Sequence, residues 1–160
     1  MENEHTYRVV AWWASGKNGL AKCDSAPSAL HFAAPPQFGG LDGRWSPEDL
    51  LLSAVASCFT TTFHALAHYS KLDYADLEVE VTGSVRKVSS GFAFEEITIR
   101  PTLTIADDQE QSRAGRLLAK AKQLCLVARA LSVRTTFEPR VRLTVKPKAG
   151  DIGLDVGVNH

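Results

Sequence analysis

The run SPEDLLLSAVASCFTTTFHAL, Ser46 to Leu66, constrains the fold more than any other part of the chain. Ser46 is a strong N-cap and Pro47 suits the first helical position. Glu48 and Asp49 add negative charge in the first turn, where the helix dipole favours it. A long helix therefore starts here. Leu51, Ala54, Val55, Cys58, Thr62, Ala65 and Leu66 recur at the 3.6-residue spacing of one buried stripe, with Cys58 in its middle. The rest of the chain must cover that stripe.

Upstream, Tyr7 to Trp13 is rich in β-branched and aromatic residues and reads as a strand. SGKNG (Ser15 to Gly19) reads as a hairpin turn, with Asn18-Gly19 supplying the positive φ. Leu20 to Asp24 and Ala29 to Ala33 give two more short strands. Pro35 to Arg44, with two prolines and three glycines, is an irregular loop that excludes helix and strand. Downstream, Leu77, Val79, Val81 and Val85 alternate with polar residues as a half-buried strand, and Ser89-Ser90-Gly91 turns it into a return strand from Phe92 to Ile105. The alternation changes phase between Phe94 and Ile97, which predicts a bulge near Glu95. Asp107 and Glu110 have the spacing of a capping box for a second helix, whose apolar stripe runs Ala114, Leu117, Leu118, Ala121, Leu124, Cys125, Ala128 and Leu131. Val141, Leu143 and Val145 give a final strand, and the Gly-rich tail from Pro147 is expected to be mobile.

Lys plus Arg (18) equal Asp plus Glu (18), so no basic field attracts nucleic acid or an anionic membrane, and neither is expected as a partner. The opening MENEHTYR has no apolar segment behind it, and no run of 18 apolar residues follows, which points to the cytoplasm. With 160 residues the chain reads as one domain over residues 1–146 plus the tail, 147–160.

Cys58 and Cys125 each fall on the buried stripe of a helix. If the two helices pack face to face, about 8 to 10 Å between axes, the sulfurs can approach each other. Buried cysteines are also common as small hydrophobes, and pattern alone favours that reading. Cys23, on a strand, reads as structural. His64 and His68 stand at i, i+4, a spacing able to hold metal, but they lie off the Cys58 stripe without a third ligand and read as surface histidines.

SPEDLLLSAVASCF, a helical run ending near KLD, the strand LEVEV, and the later segment KAKQLCLVARAL (Lys120 to Leu131) together resemble the OsmC/Ohr family of thiol-dependent peroxidases. In that family a Ser/Asn-Pro-Glu motif opens the central helix and the reactive cysteine follows the glutamate by ten positions, as Cys58 follows Glu48. The resemblance implies that Cys58 attacks an organic hydroperoxide and becomes a sulfenic acid. Cys125 then condenses with it to a disulfide, and an external dithiol of the dihydrolipoyl type recycles the pair. It implies no metal and no cofactor.

The resemblance also implies an arginine, held by Glu48, that activates Cys58. The family's arginine belongs to the first hairpin, where this chain has Lys17; Arg44, four residues before Glu48, is the favoured candidate. Cys58 lies about three turns into its helix, too deep for the dipole to lower its pKa, so a cation is expected. Glu48 and Cys58 would stand about 15 Å apart along one helix, so a second chain or a fold-back must complete a shared site, in line with the intertwined homodimer of the family. Leu126 stands where the family commonly has proline, which removes a helix-breaking constraint beside Cys125. Trp12, Trp13, Phe38, Trp45 and Phe59 are candidates to wall an apolar pocket, though each also suits core or interface.

The expected fold is α+β: an N-terminal antiparallel β-meander, a long central helix, a β-hairpin, a second helix with room for a break near Cys125, and a final strand. The expected function is peroxidase. A non-catalytic homodimeric binder of an apolar small molecule is the alternative, and a hot-dog-like thioesterase a weaker third.

Overall fold

Ser46 caps the central helix in both directions. Its Oγ accepts from the Asp49 amide (3.1 Å), and its own amide donates to Asp49 Oδ2 (2.9 Å). The Ser46 amide and the Ser46 hydroxyl, which donates to Asp49 Oδ2 at 2.7 Å, hold the Asp49 carboxyl below its usual range, against the opposing effect of desolvation. The helix so started, α1, runs Pro47–Tyr69 in a computed structural model that describes residues 4–145. The expected tail from Pro147 lies outside the described residues.

Around α1 the chain forms two sheets. β1 (Val9–Ser15), β2 (Asn18–Cys23) and β3 (Leu30–Phe32) make an antiparallel meander in that order. The positive φ of its first turn comes from Gly16 (55°), two residues before the expected Asn18-Gly19, because Asn18 is already paired with Ser15. The loop after β3 is irregular as expected, yet it contains one 3₁₀ turn, Pro36–Phe38. That turn closes on Gly39 (φ 77°), whose left-handed conformation suits glycine.

β4 (Asp76–Val88) and β5 (Gly91–Ile105) form a long antiparallel hairpin. Ser84 pairs with Glu96 and Val85 with Phe94, so Glu95 is the extra residue of the expected bulge. The other edge of β5 takes two strands where one was expected. β6 (Arg134–Phe137) and β7 (Arg140–Leu143) lie parallel to it, against residues 96–99 and 102–105. Pro139 separates them because it has no N–H for the ladder. β6 has little apolar pattern, which is why periodicity missed it.

The second helix also starts differently from expectation. Asp107 Oδ1 accepts from Gln109 N (3.0 Å) and caps a 3₁₀ turn, Asp108–Glu110; α2 (Gln111–Leu124) begins after it with no side-chain cap. Glu110 is drawn instead to Arg113, which also donates to the Ser70 carbonyl at the end of α1. Cys125 then leaves the helical region (φ −60°, ψ 106°), and α3 (Leu126–Ala130) resumes. The break is present although no proline enforces it.

The buried ridge of α1 is Val55, Phe59, Phe63 and Ala67, an i, i+4 row set one position round from the expected stripe. Cys58 and Leu66 flank that row, while Ala65 is exposed. It packs on Ile97, Ile99, Leu103 and Ile105 of β5 and on Ala114, Leu118, Ala121 and Cys125; Leu124, expected there, is 46% exposed. The two phenylalanines dominate because aromatic side chains bury the most apolar area. By length and composition α1 is long and apolar enough to cross a membrane, but here sheet and helices cover its ridge.

Candidate functional site

α1 and the α2–α3 break bring Cys58 and Cys125 together. Each thiol acts on the other's ionisation, both pack in one core cluster, and both are free. Cys58 is half-buried and Cys125 fully buried. Desolvation works against the Cys58 thiolate. It is outweighed by donors converging on the sulfur, namely the backbone N–H of Val127, the Cys125 thiol, the Leu126 N–H and the Thr62 hydroxyl, so the Cys58 pKa falls below the ordinary thiol range. Burial pushes Cys125 the other way, and the neighbouring Cys58 adds to the rise despite the Ala128 and Val127 amides. Of the pair, Cys58 is therefore the first to ionise. One sulfur is poised as a nucleophile and its neighbour as a protonated thiol within reach.

Within one chain the leading donors to the Cys58 sulfur are not cations but backbone amides. They point at the sulfur because the chain leaves α2 at Cys125 and re-enters a helix at Leu126, freeing the first N–H groups of the new turn. Leu126 contributes one of them only because it is not proline. The departure from the family motif was visible in the sequence; the direction of the freed N–H was not.

Glu48 is elsewhere. It lines a cleft of about 460 Å³ with Pro36, Phe38, Arg44, Phe92 and Phe94, and Cys58 is not on that wall. The separation expected from ten residues of helix is thus present within one chain. Glu48 Oε2 is buried with no hydrogen-bond partner among the described residues. Arg44 shares the cleft without pairing to it, since its guanidinium donates to Asn18 Oδ1 (3.1 Å) and the Gly43 carbonyl (3.3 Å). Lys17 is engaged by the Gly39 carbonyl (2.7 Å).

Of the aromatic candidates, Phe38 lines this cleft and meets Phe92 edge-on at 4.8 Å between centroids. Phe59 does not wall a pocket; it is core, against Phe137. Trp12, Trp13 and Trp45 are exposed. His64 Nδ1 bonds the Tyr74 hydroxyl at 2.8 Å, and no three potential metal ligands cluster among the described residues. Cys23 sits 3.6 Å from the Ser25 hydroxyl on β2, which lowers its pKa, partly offset by desolvation.

Residues 40–140 match the family model described as OsmC-like protein. Over 145 residues the chain is 27% identical to YmaD, an uncharacterised protein of Bacillus subtilis, covering 88% of this chain and 97% of that one. An OsmC-like protein of unknown function from Vibrio cholerae superposes with a TM-score of 0.75 at 14% identity, over 85% of this chain and 99% of its own. An organic hydroperoxide resistance protein from Elizabethkingia anophelis gives 0.70 at 20% identity, over 90% and 100%. At such identities the two structural likenesses establish the fold.

Proposed function

This chain belongs to the family of OsmC-like proteins, and we propose that within it the protein is a thiol-dependent peroxidase that reduces organic hydroperoxides to alcohols. The observation that carries this reading is the Cys58–Cys125 contact, with one thiol biased toward thiolate and the other toward thiol. The Cys58 thiolate attacks the distal oxygen of ROOH. The O–O bond breaks, and the departing alkoxide takes up a proton as ROH, leaving Cys58 as a sulfenic acid. The Cys125 sulfur then displaces hydroxide, which leaves as water with the Cys125 proton, and a Cys58–Cys125 disulfide forms. An external dithiol, of the dihydrolipoyl type by family resemblance, returns both thiols by exchange and is itself oxidised to a disulfide. The cycle suits the cytoplasm, where thiols are kept reduced.

Glu48 and Arg44 serve the same site from a second copy of the chain in this reading. The support is a buried carboxylate oxygen without a partner, in a cleft that its own Cys58 does not reach, and a first strand whose apolar side chains lie exposed. An intertwined homodimer would bring the Glu48 cleft of one chain to Cys58 of the other.

The test is steady-state consumption of cumene hydroperoxide with dihydrolipoamide as reductant. Turnover that vanishes in Cys58→Ser, and slows in Glu48→Gln and Arg44→Ala with the fold intact, is the expected result. No consumption with any dithiol, or full activity in Cys58→Ser, would overturn it.

A further inference from the structure

Between the paired residues Ser15 and Asn18 the β1–β2 turn holds only Gly16 and Lys17, so Lys17 stands at its tip. Its ammonium donates to the Gly39 carbonyl at 2.7 Å. Gly39 ends the 3₁₀ turn Pro36–Phe38 in a left-handed conformation (φ 77°), and a cation suits the carbonyl end of a turn. Asn18, the next residue, takes the same loop farther on, its Oδ1 accepting from Arg44 Nε at 3.1 Å. Two neighbouring side chains of one hairpin thus hold one loop at two points.

The loop has little slack of its own. Ala33 N donates to the Trp45 carbonyl at 3.0 Å and closes its base, while the amides of Phe38, Gly39 and Gly40 return to the carbonyls of Pro35 and Pro36 at 2.9 to 3.1 Å. At Gly40 a Cβ would collide with the Ala34 carbonyl, so the chain doubles back closely there. A loop held this way fixes where its side chains lie. The Phe38 ring meets Phe92 of β5 edge-on at 4.8 Å, and both rings line the cleft of Glu48. Phe38 is 49% exposed, so burial holds it weakly and the position of its backbone decides where the ring sits.

We propose that Lys17 is a positioning residue: by holding Gly39 it keeps Phe38 against Phe92 and so sets the width of the cleft that receives the organic part of a hydroperoxide. Its part in specificity rests on the peroxidase reading above; its hold on the loop does not.

The experiment uses the full-length chain with Lys17→Met, which keeps the stem and loses the ammonium, Lys17→Arg, which keeps a cationic donor, and Phe38→Ala. Amide hydrogen exchange at Phe38, Gly39 and Gly40, read by NMR, speeds about fivefold in Lys17→Met, the effect of about one lost hydrogen bond, and keeps the wild-type rate in Lys17→Arg. Steady-state turnover with dihydrolipoamide compares cumene hydroperoxide with tert-butyl hydroperoxide, whose small group needs less of the aromatic wall. In Lys17→Met the KM for cumene hydroperoxide rises by about the same factor, kcat holds, and the KM for tert-butyl hydroperoxide stays in place. In a Phe38→Ala background Lys17→Met adds nothing to that KM, because the lysine acts through the ring. Wild-type exchange in Lys17→Met, a wild-type KM for cumene hydroperoxide, or an additive effect in the double variant overturns the proposal. A wild type that consumes neither hydroperoxide defeats the peroxidase reading and the specificity role with it, while the exchange comparison still decides whether Lys17 holds the loop.

Discussion

Leu126 carries an N–H where the related motif commonly carries proline, and that hydrogen bears on how Cys58 ionises. A bond donated to the sulfur favours the charged form, so losing it raises the Cys58 pKa and lowers the thiolate fraction at neutral pH. Leu126→Pro isolates the effect. Cys125 already has the extended conformation that precedes proline, and proline suits the first position of a helix, so the break survives the change. The expected outcome is a Cys58 alkylation midpoint displaced upward in Leu126→Pro and unchanged in Leu126→Ala, which keeps the N–H. Equal midpoints in the two variants would remove the backbone amide from the account. Lys17 makes the complementary case: it already serves the Gly39 carbonyl, so Lys17→Ala leaves the midpoint in place.

At the scale of elements, α1 is well started and less well stopped. Ser46, Pro47 and Asp49 specify its beginning, but its last turn closes through Lys71 at φ 54°, a left-handed conformation that costs a residue with Cβ about 1 kcal/mol or more. Leu72 N still reaches the Ala67 carbonyl at 2.9 Å, so the C-terminal cap forms at that cost. Lys71→Gly should stabilise the chain by about 1 kcal/mol and raise its melting midpoint by about 2–4 °C in a calorimetric scan. A lowered midpoint would show that Lys71 contributes elsewhere. The same contrast explains what was legible in the sequence. The cap, the β4–β5 alternation and the Glu95 bulge are local signals, and all three are where their residues put them. The rotation of the buried ridge to Phe59 and Phe63 depends on the β5 side chains that meet it, β6 on an edge that β5 supplies, and the Cys125 break on packing without proline. Of the site, both cysteines and their approach could be anticipated. The amides that act on Cys58 could not, because their direction follows from a backbone turn.

The whole molecule leaves its first strand bare. Every residue of β1 is exposed, Val9 at 67% and Trp13 at 60%, which is an unusual outlay of apolar surface for a chain that stands alone. The homodimer we propose would cover it. Val10→Glu combined with Trp12→Glu puts two charges on one face of that strand. Light scattering should give twice the chain mass for the wild type and the single-chain mass for the variant, with peroxide turnover falling in parallel; a monomeric, fully active wild type would refute the shared site. The central claim, that Cys58 and Cys125 form one redox pair, is tested most directly by intact mass of the thiol-blocked protein before and after one equivalent of cumene hydroperoxide. The expected result is loss of two hydrogens, mapped by digestion to a Cys58–Cys125 link and absent in Cys58→Ser and Cys125→Ser. An unchanged mass with both thiols still open to alkylation, or a link that runs through Cys23, would contradict it.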